Sequence, residues 1–397
     1  MTKKAEPRFL ESAHFIEFWT KGMGKRLVDW SGAKPSLEGF EKLSPLYYEV
    51  DTLSDQVVND TYKAMPYPKA SSLVSRYMKK QLTKSDPKIE SLESLLSQMR
   101  SRPDWFNLEL ANAGARLCMR AGVTSLMVLR DYTLMGGYDF SYLAKPLIFT
   151  GQLKKGAVKR LKDTLEFWVL VTRENAISPG SEAFELILKT RLMHSYARLS
   201  IKENTEHWDK ELWGEPINHF DMIATYLGFS MVYLHGLSMQ GIKITTREEL
   251  GVFHLWKYVG NLLGIPLEYL PDNKKQAVEL FYKWMTLQDK ADQDSKDLAQ
   301  ALLRENLEST IHPYQFQRKL LLNLHQSMST FFLDPQILQR LGIPKTDSLG
   351  LFPRVNKKIN QVSQKLLHSS SANGATKLVK LGDSAQRKVL QDYRTHN

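Results

Sequence analysis

The sequence predicts an all-α protein. Apolar residues recur at helical spacing through most of the chain, no stretch sustains the period-two alternation of a strand, and helix start and stop signals recur throughout. The single Asn-Gly pair, Asn373-Gly374, has no strand-like flanks, which removes the commonest hairpin signature.

Residues 10–30 read as helix with a break at Gly22–Gly24. Asp51–Met65 reads as a short amphipathic helix ended by Pro66. Ser71–Leu82 and Pro87–Arg100 follow, the latter with proline at its first helical position. Residues 103–122 lead into an apolar, glycine-containing segment that runs to 150. Two consecutive helices then span 151–172 and 181–200; Ser178-Pro179-Gly180 stops the first and leaves Ser181 to cap the second. A helix over 217–239 ends at Gly241. The next is opened by Thr246-Arg-Glu-Glu249, read as a capping box, and closes at Gly264 and Pro266. Asp272 caps a helix over roughly 273–303, and another lies near 313–331. No internal repeat is present. The expected division is an N-terminal helical extension (1–50), one multi-helix domain (51–340), and a C-terminal extension (341–397) that is a loosely attached, solvated basic tail beyond about 355.

Composition narrows the chemistry. At 397 residues, 42% hydrophobic and 24% charged, the chain has the make-up of a globular protein with a large core. The single cysteine, Cys118, excludes an intramolecular disulfide framework, a thiolate zinc cluster and the CxxCH attachment of c-type haem; it reads as a buried small residue. The N-terminus lacks the apolar core of a secretory signal, and no stretch approaches the length of a spanning helix, so a cytoplasmic location is the default. Net charge is +11, and residues from 355 onward hold eight Lys/Arg against two Asp/Glu, more than half of that excess. Nothing there resembles a groove-reading motif, so no specific nucleic-acid partner is expected; weak contact with anionic membrane is the alternative to a solvated tail.

The candidate site lies on the two helices of 151–200. Arg160 and Thr164, four apart, share one face; Arg191, His194 and Arg198 place a histidine between two guanidiniums. An axial imidazole can hold a haem iron without covalent attachment. Arginines at i−3 and i+4 can receive haem propionates or fix the ligand from behind, or simply pair with nearby carboxylates. The other histidines read as core residues. A di-iron bundle needs Glu-x-x-His on two helices, and Glu11-Ser-Ala-His14 is the single match. No zinc-protease helix, nucleophile elbow, phosphate loop or dinucleotide fingerprint occurs. Phe167, Trp168, Tyr196, Phe229, Tyr233, Phe253 and Trp256 either pack the core or wall a large apolar cofactor.

Taken together, Arg191-Leu-Met-His-Ser-Tyr-Ala-Arg198, Thr164 thirty residues before His194, the G-x-P-I-N-x-x-D segment from Gly214, the H-x-W-x-x-V-G-x-x-L-G helix from His254 and Pro103-Asp-Trp-Phe-Asn107 resemble the latex-clearing-protein and MpaB-type oxygenases over roughly 50–340. The resemblance implies a globin-like helical core, haem b with His194 as proximal iron ligand, and Arg160 and Thr164 supporting the pocket. Arg198 fits a haem-side partner, and Arg191 less well. It further implies O₂ and a hydrophobic small-molecule substrate, with cleavage of carbon–carbon double bonds in isoprenoid chains. Two departures bear on the reaction. Rubber-cleaving members carry a lysine directly before the threonine, where this chain has Asp163, and their distal glutamate has no match in 138–151. A haem-binding sensor or carrier without turnover is therefore the alternative to an oxygenase.

Overall fold

The computed structural model describes residues 3–151, 156–344, 350–368 and 374–396; residues 152–155 of the helix expected from 151, and Asn373, lie outside them. The protein is all-α. Among the described residues no strand forms, and one isolated bridge pairs Phe140 with Lys290.

The tightest crossing joins the helices Leu108–Arg120 and Thr246–Leu262. A Cβ on Gly114 would lie 2.3 Å from the carbonyl carbon of Gly251, so the two backbones touch because neither residue has a side chain. Asn107 caps the first helix, accepting from the Leu110 amide, while its own N–H donates to His254 Nε2 at 2.8 Å. Phe106 stacks on the His254 ring at 5.4 Å. The Trp-Phe-Asn segment and the His-x-Trp helix, distant in sequence, thus form one contact.

Two long helices contain a wider π turn, Leu129–Leu134 in the run 122–137 and Gly228–Val232 in the run 219–239. The two turns face each other, and the Thr133 hydroxyl donates to the Gly228 carbonyl. At the N-terminus, Ala13–Thr20 and Met23–Ser31 form on either side of the expected glycine break. His14 meets the buried carboxylate of Asp139 at 3.1 Å, and Arg340 grips the same carboxylate at 2.6 and 2.7 Å. Glu11 is exposed and takes no part, so His14 here serves an ion-pair cluster that ties the first helix to Asp139 and Arg340.

Several expectations shift. The capping box is Thr245 with Glu248, one residue earlier than read, because Thr245 has the extended backbone a cap requires. Asn273, not Asp272, caps Lys274–Met285, and the long helix expected there is two, the second being Gln293–Glu308. The larger correction is the C-terminus. Phe352–His368 and Gly374–His396 are helices, and the last docks along Leu108–Arg120. Leu378, Val379, Leu390 and Tyr393 are buried, and Gln386 donates to the carbonyls of Cys118 and Gly122 at 2.9 and 2.8 Å. Its cations lie on one face of a helix whose other face is apolar, a pattern that a charge count over the segment averages away.

Gly114→Val should destabilise the protein by ~2–3 kcal/mol or prevent its folding, read as the denaturant midpoint, because a backbone-to-backbone contact has no side chain to give way. Removing residues 374–397 should lower the melting temperature and expose apolar surface to a hydrophobic dye, whereas a solvated tail would leave both unchanged.

Candidate functional site

The helix Glu182–Asn204 is the centre of the site. Ser181 caps it by accepting from the Phe184 amide, and Glu182 and Glu185 in its first turn complement the helix dipole. Arg191 and Arg198 lie two turns apart on it and are almost wholly buried, with side chains 4% and 2% exposed. Each is taken by an aspartate of the helix Thr52–Asp60 or its cap. Arg191 forks onto Asp51 at 2.6 and 3.0 Å and donates to the Leu262 carbonyl. Arg198 forks onto Asp55 at 2.6 and 3.0 Å and donates to the Ile217 carbonyl and to Ser195 Oγ. Of the roles open to these arginines, the geometry places them in ion pairs that fix the helix, with their donors turned to protein acceptors.

The residue choices around them have local causes. Gly264 has φ +87°, and a Cβ there would lie 2.3 Å from Asp51 Oδ2, so glycine makes room for the Asp51–Arg191 pair. Ile217 adopts φ +53°, costly for a β-branched residue, and presents its carbonyl to Arg198 at 2.9 Å. Asn218 then caps the helix from His219 by accepting from the Asp221 amide. The buried carboxylate of Asp221 accepts from Asn218 Nδ2 and Trp284 Nε1, and burial pushes its acid up to about 6.

His194 stands between the two pinned arginines. It is partly exposed as a residue, yet its Nδ1 is out of contact with solvent and has no hydrogen-bond partner. Burial, reinforced by the nearby Arg198 charge, pushes the imidazole down to about 4, so it is neutral at physiological pH. His219, which the sequence places among core residues, lies beside the same charges and is pushed down to about 4, again first by burial.

The preceding helix, Ala157–Val171, packs against the histidine helix and supplies the other candidates. Arg160 places its guanidinium 5.3 Å from the Tyr138 ring centroid, and its Nη2 is buried without a partner. Thr164 turns its hydroxyl back to the Arg160 carbonyl at 2.9 Å. Asp163 points outward and pairs with Lys159 at 2.5 Å. Of the aromatic candidates, Trp256 stacks on Phe229 at 4.9 Å with Phe167 at 6.5 Å, where three helices meet. Trp168, Tyr233 and Phe253 are fully buried core, and Tyr196 is exposed. Burial pushes the Cys118 thiol up to about 12, which removes it as a nucleophile. Among the described residues no group of three or more His, Cys, Asp or Glu could hold a metal ion.

The sequence points to Arg160, Thr164, Arg191, His194 and Arg198 but not to Asp51 and Asp55. The one signal those aspartates give is a four-residue spacing on a short helix, matched by a seven-residue spacing of arginines on another.

A family model described as "ER-bound oxygenase mpaB/B'/Rubber oxygenase, catalytic domain" matches residues 126–352, more than half of the chain. A rubber oxygenase of Streptomyces sp. (strain K30) is 21% identical over 261 residues, which cover 64% of this chain and 62% of that one. The chain thus spans less than two thirds of that relative's length. Its fold is similar to that of latex clearing protein LCP in the closed state, with a TM-score of 0.67, 16% identity, and 87% of this chain and 91% of that chain covered.

Arg198→Met should cost ~2–4 kcal/mol, since it strands a partly buried carboxylate, while Arg198→Met with Asp55→Leu should recover most of the loss; both are read by denaturant unfolding. His219 and His235 are each held near 4 when folded against an ordinary value of 6.5. The unfolded chain therefore binds more protons in that window, so their contribution is complete above about pH 6.5 and is lost as pH falls toward 4. His235→Gln should make the fall in unfolding midpoint between pH 7 and 5 shallower; an unchanged slope would refute the assignment.

Proposed function

Because the chain belongs to the MpaB/Lcp rubber-oxygenase family, we propose that it is a haem-b-dependent oxygenase acting on a hydrophobic, unsaturated substrate such as an isoprenoid chain, and that His194 is the residue that would hold the iron. The observation that carries this reading is His194 itself: a neutral imidazole with a buried, unpartnered ring nitrogen, on a helix pinned on either side of it. Among the described residues no protein cluster could complete a metal site, so a metal held by this one histidine must bring its other ligands with it, as haem iron does.

Bound haem would supply the site for O₂ and its activation. The chain's own residues do the rest. His194 offers its lone pair without first losing a proton, because burial has already removed the charged form. Arg191 and Arg198 are positioning residues that act through Asp51 and Asp55 to fix the helix carrying the imidazole. Of the three arginines singled out by the sequence, Arg160, with Nη2 unpartnered, would be the one to receive a haem carboxylate. Thr164 supports it from the next turn, its hydroxyl holding the Arg160 carbonyl. The Phe167, Phe229 and Trp256 rings pack together where three helices meet and would wall the apolar side of a haem pocket there.

A second reading, a haem-binding sensor or carrier without turnover, is favoured by Asp163. Where rubber-cleaving members carry a lysine, this chain has an exposed carboxylate paired with Lys159, so the position holds an anion in place of the cation.

Protein purified after expression with ample haem should show a Soret band, and its reduced form should bind CO; absence of a Soret band would overturn both readings. His194→Ala should lose the axial-ligand signature, and Arg160→Ala should weaken haem retention by about tenfold or more. Oxygen uptake with polyprenyl substrates supports the oxygenase; a haem spectrum without uptake across such substrates favours the carrier.

A further inference from the structure

The helix Phe352–His368 is packed inside out. Its polar face is turned to the protein. Asn356 donates to Gln240 Oε1 at 2.8 Å, Asn360 donates to the Gln240 carbonyl at 3.0 Å, and Gln364 accepts from the Lys243 amide at 2.9 Å. These three residues are spaced four apart, so one whole stripe is spent on hydrogen bonds to the body. The opposite stripe is apolar and faces outward: Leu351, just before the helix, is 69% exposed, Val355 51%, Ile359 59% and Val362 52%. A water-facing helix ordinarily has the reverse arrangement.

The surroundings of that stripe specify what covers it. Arg354 and Lys358, both exposed, each precede one of its apolar residues and line the same shallow surface groove. No Asp or Glu occurs in the helix. The helix Gln315–Phe332 packs against it, also contains no acid, and exposes Phe316 at 68% and Leu320 at 54% beside the exposed Lys319. A second copy of the chain would bring two acid-free, basic helices face to face, which like charge opposes. An anionic bilayer surface accepts both features at once. Its acyl boundary takes the apolar stripe and its headgroups take the flanking cations, with a helix lying in the plane. No helix among the described residues is long and apolar enough to cross the membrane instead.

We propose that this face is a membrane-surface docking site for anionic phospholipid, with Val355, Ile359 and Val362 inserted at the acyl boundary and Arg354 and Lys358 at the headgroups. The helix begins where the family match ends, at 352, and the inference does not rest on the haem reading.

Sedimentation of the full chain with vesicles tests it. The protein should pellet with phosphatidylcholine vesicles that contain phosphatidylserine, far less with phosphatidylcholine alone, and less again as salt is raised. Val355→Asp with Ile359→Asp should reduce binding at least tenfold. Arg354→Ser with Lys358→Ser should reduce it by about fivefold per charge on the anionic vesicles. Circular dichroism and melting of each variant establish folding, and Arg354→Glu with Lys358→Glu, at surface positions, keeps the test decisive if the aspartates disturb the helix. Failure of the wild type to pellet, equal binding to both vesicle types, or full binding by the folded aspartate variant would overturn the proposal. So would a solution dimer that the aspartate substitutions dissolve, which would identify a second copy as the occupant.

Discussion

Two arginine–aspartate forks between the helices Thr52–Asp60 and Glu182–Asn204 govern the site. The arginines are two turns apart and the aspartates about one, so closing both forks fixes the rotation of the longer helix and its height against the shorter one. The residue between them has no freedom to choose its direction. Burying two arginines and drawing two aspartates partly out of water costs desolvation energy that attraction only partly offsets, so such pairs are better understood as specifying one arrangement than as adding stability. The neighbourhood yields to them: Gly264 forgoes a side chain and Ile217 accepts an unfavourable backbone conformation, both to complete the same two forks.

Much of this is legible in the amino-acid order. The helices on either side of Ser178-Pro179-Gly180 announce themselves by their stop and cap, and the Arg-x-x-His-x-x-x-Arg spacing alone marks the histidine as unusual. The partners of those arginines are not legible. Asp51 and Asp55 are more than 130 residues away, and a short helix bearing two acids looks like any solvated amphipathic helix until the fold brings the cations to it. Hydrophobic periodicity finds helices but says little about which buried charge meets which.

The C-terminus departs from expectation for a related reason. Charge counted over a window predicts a solvated tail, yet the last two helices solve different problems with similar compositions. Gly374–His396 buries an apolar stripe in the ordinary way, whereas Phe352–His368 attaches through asparagine and glutamine and leaves its apolar side outside. Composition cannot distinguish the two; only the direction in which each face is turned does.

The facing π turns at Leu129–Leu134 and Gly228–Val232 impose a constraint of a different kind. A π turn accommodates one residue more than an ordinary helical turn, so everything after it is rotated by roughly a quarter to a third of a revolution. Tyr233, Leu234 and Leu237 reach the core with that rotation included. Loss of one residue from either turn would shorten the helix very little but would swing its entire following segment to another compass bearing. These two short stretches therefore act as the molecule's phase markers, where the chain tolerates a change of side chain more readily than a change of length.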